Sequence, residues 1–130
     1  APDNVIRERD AFTRQIEAWR LDWESRDTQR YLSHYARDFR VGGVDLQAWA
    51  TQKTATNRSK SWIKVTLNDM SIIRGHDKRG LMVVTFEQDY RSSNLSQKSR
   101  KRQYWVQEAG RWKIAYEGTL ADTSAAALPE

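Results

Sequence analysis

Cysteine is absent from the 130 residues of the chain, and histidine occurs only twice, as His34 and His76. Without cysteine, disulfides, thiol nucleophiles and thiolate metal sites are all excluded. The two histidines have no metal-like spacing around them, so we predict neither a metal nor a cofactor and expect His34 at the rim of the fold. No apolar run approaches the roughly 18 residues that a membrane-spanning helix needs.

The composition favours a single domain whose core is built from few, bulky side chains. Six tryptophans, five tyrosines and three phenylalanines supply much of a hydrophobic fraction of 38%. Lysine and arginine exceed aspartate and glutamate by 22 to 17, which gives a net charge of +5 and favours acidic partners. Because the chain starts with Ala1 and not with methionine, we expect a processed product or a piece of a longer protein.

The first helix carries the clearest periodicity. Phe12, Ile16, Trp19 and Trp23 follow one another at steps of four, three and four, which places them on one face of a helix. We predict this helix over residues 4–25 and expect its aromatic face to need a large apolar partner surface.

Two shorter helices are predicted to follow. Asp27 is suited to cap a second helix that contains Tyr31, Leu32 and Tyr35, and Asp45 is suited to cap a third helix over residues 46–55. Residues 54–61 are polar and are predicted to form a loop.

From Trp62 onward the apolar period changes to two, which is typical of β-strands. A slipped phase at residues 68–69 predicts a β-bulge in the first long strand. In the last strand, residues 111–117, we expect Trp112, Ile114 and Tyr116 to point inward and Glu117 to point outward.

This order predicts an α+β fold in which three N-terminal helices pack in a strongly bent antiparallel sheet. We place the domain at residues 5–118, between a linker over residues 1–4 and a flexible tail over residues 119–130.

The order of elements and several sequence strings resemble the nuclear transport factor 2-like superfamily, a cone-shaped fold. Within it, the chain most resembles the small accessory domain attached to bacterial L,D-transpeptidases and L,D-carboxypeptidases that act on peptidoglycan. The strings that carry the resemblance are WRLDW (residues 19–23), YLSHYARDF (31–39), DLQAW (45–49), SWIKV (61–65) and GRWKIAYE (110–117).

The superfamily contains both enzymes and binding domains, so the resemblance alone does not decide the function. In isomerase-like members a catalytic base lies on the strand after the Tyr-Ala-x-Asp string, whereas residues 39–43 of this chain, FRVGG, offer no acid. We expect Asp38 to hold the turn after the second helix. The chain is therefore predicted not to be an enzyme.

Aromatic side chains could line a pocket inside the cone, with hydroxyl groups converging on a small apolar ligand. The alternative is that the same rings fill the cone and leave no cavity. The candidate lining residues are Trp19, Trp23, Tyr31, Tyr35, Gln88, Tyr90, Tyr104, Trp105 and Tyr116.

A basic segment supplies a second candidate site. Residues 91–102 contain five cations and no acid, and such a group could bind carboxylates or phosphates. Alternatively, basic side chains on an edge strand discourage pairing between sheets. The candidate acidic-ligand-binding residues are Arg91, Lys98, Arg100, Lys101 and Arg102.

We interpret the chain as a non-catalytic binding and scaffolding domain of a periplasmic or cell-envelope protein that holds a peptidoglycan-processing partner or an acidic wall fragment. The envelope location follows from the resemblance, and the acidic ligand from the charge. The alternative is a small lyase or isomerase that acts on a hydrophobic carbonyl compound. Nucleic acid is disfavoured because the aromatic residues near the basic segment alternate into the sheet. Leu81 and Val83 on the outer face of the sheet suggest a homodimer.

Overall fold

The computed structural model describes residues 2–75 and 80–122. In this part of the chain, three helices and a short hairpin accompany a four-stranded antiparallel sheet whose strands lie in chain order. The predicted α+β class is confirmed. The elements are α1 (Pro2–Glu24), α2 (Thr28–Leu32), β1 (Arg40–Val41), β2 (Val44–Asp45), α3 (Leu46–Arg58), β3 (Ile63–Arg74), β4 (Met82–Ser92), β5 (Ser96–Glu108) and β6 (Arg111–Asp122).

Helix α1 buries the face that its periodicity predicts. Phe12, Ile16, Trp19 and Trp23 are each at most 5% exposed. The helix begins at Pro2, so residues 2–4 are helical and do not form the predicted linker. Proline suits a helix start because its missing N–H would have no partner in the first turn.

Both predicted helix caps are confirmed. A side-chain oxygen of Asp27 accepts a hydrogen bond from the backbone N–H of Arg30 at 3.3 Å, and one of Asp45 accepts from the N–H of Ala48 at 2.9 Å. Helix α3 continues to Arg58, so the prediction of a loop from residue 54 was wrong. The buried side chain of Asn57 shows that tertiary packing outweighs the weak helix propensity of this polar segment.

The bulge predicted in β3 is present. The register with β4 shifts between Asn68 and Ser71, and Asp69 has a positive φ of 52°. An extra residue in one strand bends it and increases its twist. Helix α1 packs on one face of the sheet, which we call the inner face, and the opposite face is the outer face.

Rings join α1 to the inner face of the sheet. The ring centroids of Phe12 and Trp105 are 5.4 Å apart, and those of Trp23 and Tyr90 are 5.3 Å apart. Such aromatic pairs stabilise a fold beyond the area that they bury. The helix is therefore fixed along β4 and β5.

Helix α1 also satisfies the free backbone of the edge strand β3. A carboxylate oxygen of Glu24 accepts a hydrogen bond from the N–H of Val65 at 2.8 Å, and Arg20 donates to the carbonyl oxygen of Val65 at 3.0 Å. An edge strand whose polar groups are occupied does not present them to another sheet.

Strand β6 extends beyond the predicted domain end. Thr119 pairs with Lys101, and β6 reaches Asp122, so residues 119–122 are not part of a flexible tail. Their backbone groups gain hydrogen bonds to β5.

Residues 123–130 and His76 lie outside the described residues. Among the described helices, none combines the length and the apolar character that a membrane span requires.

The buried aromatic face of α1 predicts a sharp contrast between two substitutions on this helix. Phe12→Ala should lower the free energy of unfolding by about 3–5 kcal/mol, because Phe12 is fully buried against Trp105 and Trp112. Leu21→Ala, at a side chain 49% exposed, should change it by less than about 1 kcal/mol. Urea unfolding measures both, and equal losses would contradict the described packing.

Candidate functional site

A cavity of about 150 Å³ lies between α1, α3 and the inner face of β4, β5 and β6. One aromatic wall comes from α1 and α3, and polar side chains of the sheet form the opposite wall. Apolar walls with a few convergent polar groups are typical of small-ligand sites. The lining residues are Trp23, Trp49, Lys53, Thr56, Asn57, Gln88, Tyr90, Leu95, Gln97, Lys101 and Glu117.

Glu117 faces this cavity, although the sequence pattern predicts that it points outward. Tyr116 pairs with Tyr104, but Ile114 pairs with Trp105, so Ala115 is an extra residue in β6. The bulge reverses the alternation, and Glu117 becomes 93% buried with only 7% exposure. The prediction of an outward Glu117 was wrong because a regular period of two was assumed across the bulge.

Hydrogen bonds hold the Glu117 side chain in place. Its Oε1 atom accepts from the Tyr35 hydroxyl at 3.0 Å and from Nε2 of Gln103 at 2.9 Å. The indole N–H of Trp105 donates to Oε1 of Gln103 at 3.0 Å and fixes the orientation of that amide. A buried acid is stable only when such partners replace its lost water.

The two buried tyrosines extend the network into the core. The Tyr35 hydroxyl accepts from the indole N–H of Trp19 at 3.2 Å and lies 2.9 Å from the Tyr31 hydroxyl. Burial first, and the charge of Glu117 second, raise the pKa of Tyr31 and Tyr35 well above the usual 10. Both hydroxyls therefore stay protonated at neutral pH, and Tyr31 donates to Tyr35 because the Tyr35 hydrogen goes to Glu117.

Lys53 places an amine on the aromatic side of the cavity. Its Nζ lies 4.7 Å from the ring centroid of Trp49 and 5.9 Å from that of Trp23. Burial lowers the pKa of Lys53; the charge of Glu117 opposes this shift, and the charge of Lys101 adds to it.

The cavity lining includes side-chain atoms with unused hydrogen-bonding capacity, among them those of Trp23 and Gln88. Trp23 and Gln88 are 5% and 6% exposed. The indole nitrogen of Trp23 and the amide oxygen of Gln88 are buried and have no hydrogen-bond partner in the described part of the chain. Such groups are uncommon in folded proteins and mark places where a ligand or water completes the structure.

The structure separates the predicted pocket residues into three groups. Trp23, Gln88 and Tyr90 line the cavity. Trp19, Tyr31, Tyr35 and Trp105 are almost fully buried and carry the hydrogen-bond network below it. Tyr104 and Tyr116 instead pair with each other across β5 and β6, with ring centroids 4.9 Å apart. Trp49, Lys53 and Glu117 also line the cavity, and no sequence pattern pointed to them as site residues.

The five predicted acidic-ligand-binding residues do not form one cluster. Successive residues of β5 point to opposite faces, and only Lys101 lines the cavity, where its Nζ donates to the Thr119 hydroxyl at 2.7 Å. Arg102 lies opposite Thr85 in the register with β4.

The other predicted cations lie beside acids of β4. Arg91 forms an ion pair with Asp89 at 3.2 Å. In the register, Arg100 lies opposite Glu87 and Lys98 opposite Asp89. These acids precede residues 91–102 along the chain, so the charge balance of that segment alone did not include them. The outer face therefore alternates in charge, and the cavity receives one cation of the five.

His34 is buried, with 6% exposure, and does not lie on the rim. Its Nε2 lies 2.7 Å from a carboxylate oxygen of Asp22, and its Nδ1 lies 3.1 Å from Nε2 of Gln15. Gln15 can only donate there, so Nδ1 accepts and Nε2–H donates to Asp22. The prediction of a rim position was wrong because Asp22 and Gln15 of α1 cover the ring.

The chain matches one protein family in sequence and resembles solved structures in fold. The sequence profile of a family described as the Cds6 C-terminal NTF2-like domain matches residues 11–118. The chain is similar to Bd1075 of Bdellovibrio bacteriovorus, with 25% identity over 96% of this chain and 44% of that one, and a TM-score of 0.84. It is also similar to the helical cell shape determining protein Pgp2 of Campylobacter jejuni, with 25% identity over 80% of this chain and 38% of that one, and a TM-score of 0.68.

These two proteins are longer, and the chain spans less than half of either. A putative scytalone dehydratase of Novosphingobium aromaticivorans shares the fold at 11% identity over 95% of this chain and 91% of that one, with a TM-score of 0.70. No curated protein matches the sequence.

The buried His34 predicts a dependence of stability on pH. Burial lowers the pKa of His34 from its usual 6.5, although Asp22 opposes this shift and Lys113 and Arg30 reinforce it. The neutral ring therefore stabilises the fold fully above pH 6.5, and this contribution is lost as the pH falls toward the lowered value. Urea midpoints should decrease from pH 7.5 to pH 5.5, and His34→Gln should flatten that decrease. A wild-type midpoint that rises on acidification would mean that the Asp22 ion pair outweighs burial.

Proposed function

Since the chain belongs to the family of Cds6 C-terminal NTF2-like domains, we propose that it is a non-catalytic binding and scaffolding domain of a bacterial cell-envelope protein. In this proposal its cavity holds a carboxylate end of an acidic cell-wall fragment whose remainder lies outside the cavity. The observation that carries the proposal is the cavity itself, which combines aromatic walls, two lysines and unused polar atoms.

The charges of the cavity support an acidic ligand. Lys53 and Lys101 supply two cations, and Glu117 supplies one acid whose Oε1 is already bound by Tyr35 and Gln103. A ligand carboxylate would gain charge-assisted hydrogen bonds from the lysine amines. Peptide stems of the cell wall carry such carboxylates beside apolar atoms that suit the faces of Trp23 and Trp49.

The role as an accessory domain has separate support. The chain matches less than half of Bd1075 and of Pgp2, and the latter is described as determining helical cell shape. A domain that holds a wall fragment would position the rest of such a protein on the wall. The resemblance to domains attached to peptidoglycan enzymes agrees with this role.

A specific observation favours a second candidate function, a small lyase or isomerase. Such an enzyme needs a base beside a hydrogen-bond donor in a desolvated cavity, and Glu117 lies 3.0 Å from the Tyr35 hydroxyl. Against this candidate, the Tyr35 hydroxyl is already occupied by Trp19, Tyr31 and Glu117. It has no hydrogen left for a developing oxyanion.

Binding of an acidic wall fragment predicts a strong effect of Lys101. In calorimetric titrations with a soluble muropeptide, Lys101→Gln should weaken binding about tenfold or more, because a charge-assisted hydrogen bond is lost. Lys64→Gln removes an exposed lysine of β3 and should leave the affinity unchanged. Esterified stem carboxylates should weaken binding to the wild-type protein similarly. Equal affinity of all three proteins for both ligands would contradict the proposal.

The enzymatic candidate predicts proton exchange. If Glu117 acts as a base, the protein should catalyse exchange of α-hydrogens of a small ketone in D₂O, and Glu117→Gln should abolish this exchange. Proton NMR follows the loss of signal directly. We expect no exchange above the buffer rate in a Lys53→Arg background, which removes any contribution of that amine, and exchange in this background that depends on Glu117 would instead support the lyase or isomerase.

A further inference from the structure

We propose that Lys53 is a reactive amine that captures a small carbonyl compound, of the 2-oxo acid class, as an imine inside the cavity. This inference rests on the proposed function only in that the same cavity takes the ligand. It adds a covalent step that acid binding does not require.

The surroundings of the amine are the first support. Nζ of Lys53 lies over the rings of Trp49 and Trp23, and no hydrogen-bond acceptor contacts it among residues 2–75 and 80–122. Lys60 provides a contrast within the same chain. It is 7% exposed and its amine donates to the side chain of Asn94. An amine without an acceptor keeps its lone pair accessible once it loses its proton.

Burial is the largest influence on the pKa of Lys53 and lowers it, while the two charges nearby act in opposite directions, Glu117 raising this pKa and Lys101 lowering it. Lys101 lines the same cavity, and its positive charge adds to burial in lowering the pKa of Lys53. Burial in a hydrophobic pocket and a neighbouring cation are both established ways to activate a lysine for imine formation. A larger share of the Lys53 side chain is therefore neutral at a given pH than of an exposed lysine.

The cavity also supplies a group for the proton transfers. The lone pair of Nζ forms a bond to the carbonyl carbon, and one of the two protons of the neutral amine moves to the carbonyl oxygen, which becomes a hydroxyl. Glu117, which lines the same cavity, accepts a proton from the nitrogen and returns it to this hydroxyl, which leaves as water. The product is an imine, and no oxidant or reductant is consumed.

The size and charge of the cavity define the ligand class. A volume of about 150 Å³ corresponds to roughly five water molecules, which fits a compound of a few heavy atoms. A carboxylate next to the carbonyl group would pair with Lys101 while the carbonyl carbon meets Lys53. Short 2-oxo acids have both groups on adjacent carbons.

Reductive trapping tests this inference. The protein is incubated with pyruvate and sodium cyanoborohydride at pH 7, and the modified lysines are identified by mass spectrometry of peptides. We expect Lys53 to be modified about tenfold faster than Lys60 or the exposed Lys64, because burial lowers the pKa of Lys53 and leaves more of its amine neutral. Lys53→Arg should lose this fast adduct, and Glu117→Gln should slow it.

Modification that follows exposure alone, or an adduct that is unchanged in Lys53→Arg, would overturn the inference. A separate measurement of muropeptide binding to the wild-type protein distinguishes failure of the imine inference from failure of the proposed wall ligand. If muropeptide binds but Lys53 gives no preferred adduct, only the imine inference fails. If Lys53 is trapped but muropeptide does not bind, the proposed wall ligand fails.

Discussion

One extra residue in the last strand determines the chemistry of the cavity. Ala115 has no partner in β5, and this bulge turns Glu117 from the outer face to the inner face of the sheet. Once buried, the acid needs donors to replace water, and Tyr35 and Gln103 provide them. The cavity therefore contains an acid beside two lysines, where regular alternation would have left only cations and uncharged groups.

The aromatic residues have two roles in this fold. Phe12, Trp19 and Trp105 are completely buried and fill the space between α1 and the sheet. Trp23 and Trp49 lie farther along, where α3 approaches the sheet without closing on it, and they line the cavity. The sequence left open whether the rings fill the cone or line a pocket, and the structure contains both arrangements.

The periodic parts of the fold were predictable because their cause is local. Phe12 and Trp23 repeat on one helical face, Asp27 and Asp45 cap the next helices, and the slip at residues 68–69 marks a bulge. The site was less predictable, because its members come from α1, α3, β4, β5 and β6. No sequence pattern marks Lys53 of α3 as a site residue. The residues around Ala115 likewise contain no pattern that predicts a bulge in β6.

Chemical-shift mapping by NMR tests most directly whether the cavity is the binding site. A muropeptide added to ¹⁵N-labelled protein should shift the indole signal of Trp23 and the side-chain amide signal of Gln88, whose buried polar atoms are unpartnered in the free domain. Signals of Lys98 and Arg100 on the outer face should stay in place. Shifts confined to that outer face, with the Trp23 and Gln88 signals unmoved, would contradict a binding site inside the cone.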